Sequence, residues 1–206
     1  MSNESENMQV LMRVAAMAAV AHKNQNRKDG GNYIRHPLGV AALIEPQYAT
    51  LENMCAAICH DILEDVPEEL DATLEEMKLT FGEGFRINDE EPWDYFSSKG
   101  KLTHLLAACL NGDMRSARSI TRKVMELTVV WPQPDSPSWE NPEEEKVAKN
   151  AWKIERLSGL SKDGLAIAKA DKTFNMRHPI PGRDPAEEAE KCQKYLDRVD
   201  ELMASM

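Results

Sequence analysis

The chain has 206 residues, 42% of them hydrophobic and 29% charged, and a formal net charge of −10. This length supports one domain with a sizeable core, and the interspersed apolar and charged residues exclude a disordered chain. The acidic balance disfavours nucleic acid as a partner, because duplex binding relies on Lys and Arg to neutralise phosphates; an anionic small molecule stays compatible, since a metal ion and a few local cations reverse the field inside a cleft.

The chain opens on acidic residues, and Arg13 interrupts the first apolar stretch, so neither a signal peptide nor a membrane span is expected. Val10, Val14, Met17, Ala18 and Ala21 recur at three and four, predicting an amphipathic helix to about His22. Asn24 to Asn32 reads as a polar loop, with Gly30 and Gly31 available for positive φ. His36-Pro37 starts a helix that runs to about Ile44. A single helix is expected from Thr50 to about Asp65, apolar nearly all round before its charged end and therefore central, with Pro67 stopping it. Another follows over 71–81, closed by Gly82.

Residues 83–100 read as irregular, 102–110 and 116–127 as helical, and Trp131 to Pro142 as a loop with four prolines. Helices are expected at about 143–157, 162–176 and 185–204. Sparse glycine and the absence of alternating apolar runs argue against β architecture. The fold class is all-α, a compact bundle of roughly eight to ten helices forming one domain over 1–206. Cys55, Cys59, Cys109 and Cys192 contain no CxxC pair and read as small apolar side chains with free thiols, which points to a reducing cytoplasm.

The chemistry concentrates in His60-Asp61-Ile62-Leu63-Glu64-Asp65. On a helix His60 shares a face with Glu64, and Asp61 with Asp65. Burying such groups without partners costs several kcal/mol, which a divalent cation offsets by accepting imidazole nitrogen and carboxylate oxygen. The plainer reading is a solvated helix end. His36, at a helix start, is by itself an ordinary histidine. Asp171, within the apolar run LAIAKADK, needs a cation or donors, and a salt bridge to Lys169 or Lys172 would also serve.

The ordered set His36, His60-Asp61, Asp171 resembles the H…HD…D pattern of the HD phosphohydrolase superfamily. The stretches AHKNQNRKDGGNYIRHPLGVAALI, CAAICHDILEDV and IAKADKTFNMR are similar to the hydrolase domain of the RelA/SpoT enzymes and the small alarmone hydrolases. The resemblance implies hydrolysis of guanosine tetra- and pentaphosphate, (p)ppGpp, at the 3′ position, releasing pyrophosphate and GDP or GTP. It implies Mn²⁺ as cofactor, held by His36, His60, Asp61 and Asp171, with Glu64 and Asp65 as the catalytic acidic pair. For the guanine nucleotide it implies contacts from Arg27, Lys28 and Asn175. Arg177 is assigned to a phosphate or to the structure, and Tyr33 to the ribose or to the core. The chain reaches Met206 soon after these motifs, so degradation alone, without a synthetase domain, is the expectation.

Two departures stand out. The stretch at about 83–120 reads as an insertion, with a lid, a homo-oligomer contact or decoration as its roles. Val129-Val130-Trp131-Pro132 stands where the family often has charges near the pyrophosphate. That segment leaves open an HD phosphohydrolase for another nucleotide, and a third reading is a nucleotide-binding protein on an inactive HD scaffold.

Overall fold

The computed structural model describes residues 3–82, 85, 97–129 and 141–206. Among them are ten α-helices: α1 (Asn3–Ala21), α2 (Arg35–Ala42), α3 (Leu51–Cys59), α4 (Ile62–Asp65), α5 (Leu70–Phe81), α6 (Ser98–Cys109), α7 (Met114–Leu127), α8 (Pro142–Glu155), α9 (Lys162–Arg177) and α10 (Pro185–Ser205). Their only β pairing is an isolated bridge between Asn26 and Asn32, so the all-α expectation holds. Most of the irregular 83–100 segment and of the proline-rich 131–142 loop lies outside the described residues.

Local chemistry sets most helix starts. Thr50, Ser97, Asp113, Asn141, Ser161 and Asp184 each accept a hydrogen bond from a first-turn backbone N–H, satisfying donors that a helix leaves orphaned. Gly82 ends α5 with φ +66, a conformation that disfavours a side chain.

The helix expected over 50–65 is in fact two. α3 stops at Cys59, α4 begins at Ile62, and His60-Asp61 forms the turn between them. His60 Nδ1 lies 2.8 Å from the Ala57 carbonyl, the acceptor that an unbroken helix presents to the Asp61 N–H. The apolar periodicity could not reveal this competition, because it concerns a side chain and its own backbone.

α3 lies at the centre, packed on α1, α2, α7 and α9. Cys55, Ala56, Ala57 and Cys59 are fully buried there, and their small volumes let the neighbouring helices approach. α6 falls in the stretch read as an insertion, yet Leu102, Leu105, Leu106 and Cys109 carry it into the main core. Asn53 and Lys123 bind this centre together. Lys123 Nζ donates to Asn53 Oδ1 at 2.7 Å and pairs with Asp163 at 2.9 Å and Glu52 at 3.3 Å, joining α3, α7 and α9. A smaller cluster, Leu157, Leu160, Leu165, Ala168 and Val199, seats α10 against α9.

One close approach governs the site. A Cβ on Gly39 of α2 would fall inside contact distance of the Phe174 ring of α9. That ring lies edge-on to His36, with centroids 5.1 Å apart. Gly39→Ala is therefore expected to lower stability by about 1–3 kcal/mol through overpacking, measured by urea denaturation, and to weaken any function that depends on His36.

Candidate active site

Three separate segments deliver the polar residues to one cleft. His36 comes from the first turn of α2, His60 and Asp61 from the α3–α4 turn, and Asp171 from the middle of α9. His36 Nε2 lies 3.3 Å from Asp61 Oδ2 and 3.2 Å from Asp171 Oδ1. His60 Nε2 lies 3.1 Å from Asp61 Oδ1. Ligand atoms of His36, His60 and Asp171 all fall within 4.8 Å of one another, and the Asp61 carboxylate bridges the two imidazoles.

The donor set suits a divalent cation. His60 Nδ1 is taken up by the Ala57 carbonyl, which leaves Nε2 facing the Asp61 carboxylate. A divalent cation would accept that nitrogen and the neighbouring carboxylate oxygens directly. Both carboxylates are held ionised. Burial alone would raise the Asp61 carboxyl, but the imidazoles of His60 and His36 hold it down at about 2. Burial likewise opposes the charge on Asp171, and Lys172 and His36 keep it well below the usual carboxylate range. Burial lowers His36, while hydrogen bonding to Asp171 and Asp61 carries it up to about 9.

A second layer fixes these groups. Tyr33 donates its hydroxyl to Asp61 Oδ2 at 2.7 Å, and its ring stacks on buried His22 with centroids 4.8 Å apart. Burial and the adjacent Asp61 push the Tyr33 hydroxyl far above its ordinary pKa, so it stays a donor. Asn175, one turn after Asp171, donates Nδ2 to Asp171 Oδ1 at 2.7 Å. Lys172 pairs with the other Asp171 oxygen at 3.2 Å, so the salt bridge foreseen for Asp171 coexists with its place in the cluster. Lys169 instead pairs with Glu45 and Asp200.

Glu64 and Asp65 sit on the cleft rim. Glu64 accepts from the Val129 N–H at 2.9 Å, and burial raises its carboxyl pKa despite that bond. Asp65 accepts from Gln25 Nε2 at 2.8 Å. Opposite them, the Arg27 guanidinium lies 5.3 Å over the Phe174 ring. The cleft proper encloses about 240 Å³ and takes in Arg27, Tyr33 and Asn175, whereas Lys28 lines the two adjoining pockets. Arg177 is exposed at the end of α9 and lines none of the three. His178 stacks on Phe174 beside the cleft, and His104 is buried in α6 away from it.

Sequence reasoning missed the cationic wall. Lys153 and Arg156, at the end of α8, and Lys172 face the cluster together with Tyr195. Burial and the nearby Lys172 lower the Lys153 pKa. Arg156 donates to the Leu127 and Thr128 carbonyls at 3.1 Å each and also to Glu126, capping the C-terminus of α7. That cap holds the backbone leading to Val129, which in turn holds Glu64. The spacing of Lys146, Lys149 and Lys153 along one helix face was a readable signal, but what it faced was not.

No family model matches the chain. It is 40% identical over 88 residues to the guanosine-3′,5′-bis(diphosphate) 3′-pyrophosphohydrolase MESH1 of Homo sapiens, covering 41% of this chain and 47% of that protein. To the Xenopus tropicalis protein of the same name it is 36% identical over 94 residues, 44% of this chain and 50% of that one. Its identity to the bifunctional (p)ppGpp synthase/hydrolase SpoT of Escherichia coli is 36% over 72 residues, 35% of this chain and 10% of that one. The chain thus spans half or less of the length of these curated relatives. A solved structure, described as a metazoan ortholog of SpoT that hydrolyzes ppGpp, superposes with a TM-score of 0.51 at 20% identity, covering 95% of this chain and 94% of that one; the two share the all-α fold.

Proposed function

We propose that this chain is a metal-dependent phosphohydrolase of the HD type, a single domain over 1–206 that hydrolyses (p)ppGpp at the 3′ position to give pyrophosphate and GDP or GTP. The observation that carries the reading is the convergence of His36, His60, Asp61 and Asp171 on one point, with two further carboxylates on its rim. These four residues would hold Mn²⁺, for which mixed nitrogen and hard oxygen donors are suited. When bound, that ion would supply a water of lowered pKa and polarise the 3′ phosphate.

The chain's own residues do the rest. Glu64, its carboxylate aimed by the Val129 N–H, accepts a proton from the attacking water as oxygen adds to the 3′-linked phosphorus. The bond from that phosphorus to O3′ breaks; O3′ takes a proton from solvent to become the ribose 3′-hydroxyl of GDP or GTP, and the pyrophosphate leaves carrying the water oxygen. Asp65, held by Gln25, orients the same water. Lys153, Lys172 and Arg156 provide positive charge for the departing pyrophosphate, compensating from α8 and α9 for the apolar Val129 segment. Tyr33 and Asn175 act through Asp61 and Asp171 respectively. Arg27 presents its planar guanidinium to the guanine base, with Lys28 beside it.

The protein acts in this reading on a small nucleotide in the cytoplasm. Its four cysteines are free, in keeping with a reducing compartment, and no helix among the described residues is long and apolar enough to cross a membrane.

Incubation with Mn²⁺ and a nucleotide panel tests the proposal directly. ppGpp is expected to yield GDP and pyrophosphate; binding of ppGpp without release of pyrophosphate would make the chain a binder on an inactive scaffold. Arg27→Ala is expected to raise KM for ppGpp about tenfold with kcat little changed, the signature of lost uniform binding. An unchanged KM would remove Arg27 from the site.

A further inference from the structure

The metal cleft opens into a second groove of about 600 Å³ between α8 and α10. Eight of the chain's 25 Lys and Arg side chains line it, against one acid, Glu188. In a chain with formal charge −10 that concentration is local, not compositional. Val147, Ile154 and Tyr195 add apolar surface to its lining. Five of the cations already have partners: Lys146 with Glu143, Lys172 with Asp171, Arg183 with Glu188, Lys191 with Glu187, and Lys194 with Glu190. Lys28, Lys149 and Lys153 have no ion-pair partner among the described residues.

The groove adjoins two other pockets through shared walls. Lys153, Lys172 and Tyr195 form a wall common to it and the metal cleft. Lys28 belongs both to the groove and to the pocket beside Arg27 and His178. That Arg27 pocket in turn shares Arg27, Tyr33 and Asp65 with the metal cleft. A nucleotide with a planar base beside Arg27 and a phosphate group beside His36 and Asp171 would have the groove left for a second, separate phosphate chain.

We infer that the α8–α10 groove binds the 5′-phosphate chain of the same nucleotide whose 3′ phosphate lies at the metal, and that it makes the protein favour longer 5′ chains. This rests on the function proposed above. Lys149 and Lys153, three and seven residues after Lys146 on one helix face, form a row of cations leading away from the metal. A chain gaining one phosphate at a time would meet them in succession, each contact a charge-assisted hydrogen bond.

Titration calorimetry of GMP, GDP and GTP in EDTA reads the groove without turnover or metal. Wild-type affinity is expected to rise about tenfold from GMP to GTP, and the double variant Lys146→Glu, Lys149→Glu is expected to flatten that dependence at unchanged helical circular dichroism. Equal affinity for the three nucleotides, or the same rise in the variant, would overturn the inference. Hydrolysis of ppGpp with Mn²⁺ is measured in parallel. A wild-type protein that shows the length dependence but releases no pyrophosphate would sink the proposed function and leave the groove standing; turnover without length dependence would do the reverse.

Discussion

Asp61→Ala is expected to remove metal binding and ppGpp hydrolysis together, with activity falling by about 10³-fold or more, the equivalent of some 4 kcal/mol of transition-state stabilisation. The Asp61 carboxylate touches both imidazoles and the Tyr33 hydroxyl, so its loss disconnects His36 from His60 and strands a buried donor. Metal content measured on the purified variant, beside a turnover assay, checks the paired loss. Tyr33→Phe provides the graded comparison. It keeps the carboxylate and deletes only the bond that aims it, so the expected effect is about 10- to 100-fold in metal affinity, typical of a group that orients a ligand. A full complement of metal in Asp61→Ala would mean that the four side chains do not act as one site.

Glu64→Ala is expected to separate the two properties: metal retained, kcat reduced by about 10²- to 10⁴-fold, the usual contribution of a positioned general base. Glu64 reaches the cleft rim, where its carboxylate accepts from the Val129 N–H; its own N–H bonds to the Asp61 carbonyl, a main-chain contact that Glu64→Ala keeps. Burial raises its carboxyl pKa. A base must be deprotonated to accept a proton, so the acid limb of the wild-type kcat profile is expected above the ordinary glutamate range, with activity lost as pH falls through it. Glu64→Gln is expected to lower the rate and abolish that limb. Turnover that persists in Glu64→Ala would reassign the proton to another group, with Asp65 the nearest alternative.

Much of this was legible in the chain itself. Local spacing located most of the helices, since apolar residues at three and four, a proline in a first turn and a closing glycine act over a few residues. The set His36, His60, Asp61 and Asp171 was readable because its order resembles the H…HD…D pattern of a known superfamily; each residue alone had an ordinary reading. The division of the 50–65 helix at His60-Asp61 was not readable: it arises from the His60 ring meeting the Ala57 carbonyl. The burial of α6 was equally hidden, because the composition of a helix does not say which neighbours cover it.

The sequence by itself therefore determined an all-α chain and the residue types that gather at one centre, both consequences of short-range periodicity and of ligand chemistry. Only the tertiary structure decided which side chains serve that centre from a distance. Tyr33 and Asn175 turned out to bond to carboxylates, Arg177 to be exposed and outside the cleft lining, and Lys153 and Arg156 to furnish the positive wall that the Val129 segment lacks. The reason is geometric: charge acts across space, and the packing of α8 against the bundle brings its cations to carboxylates that lie far away along the chain.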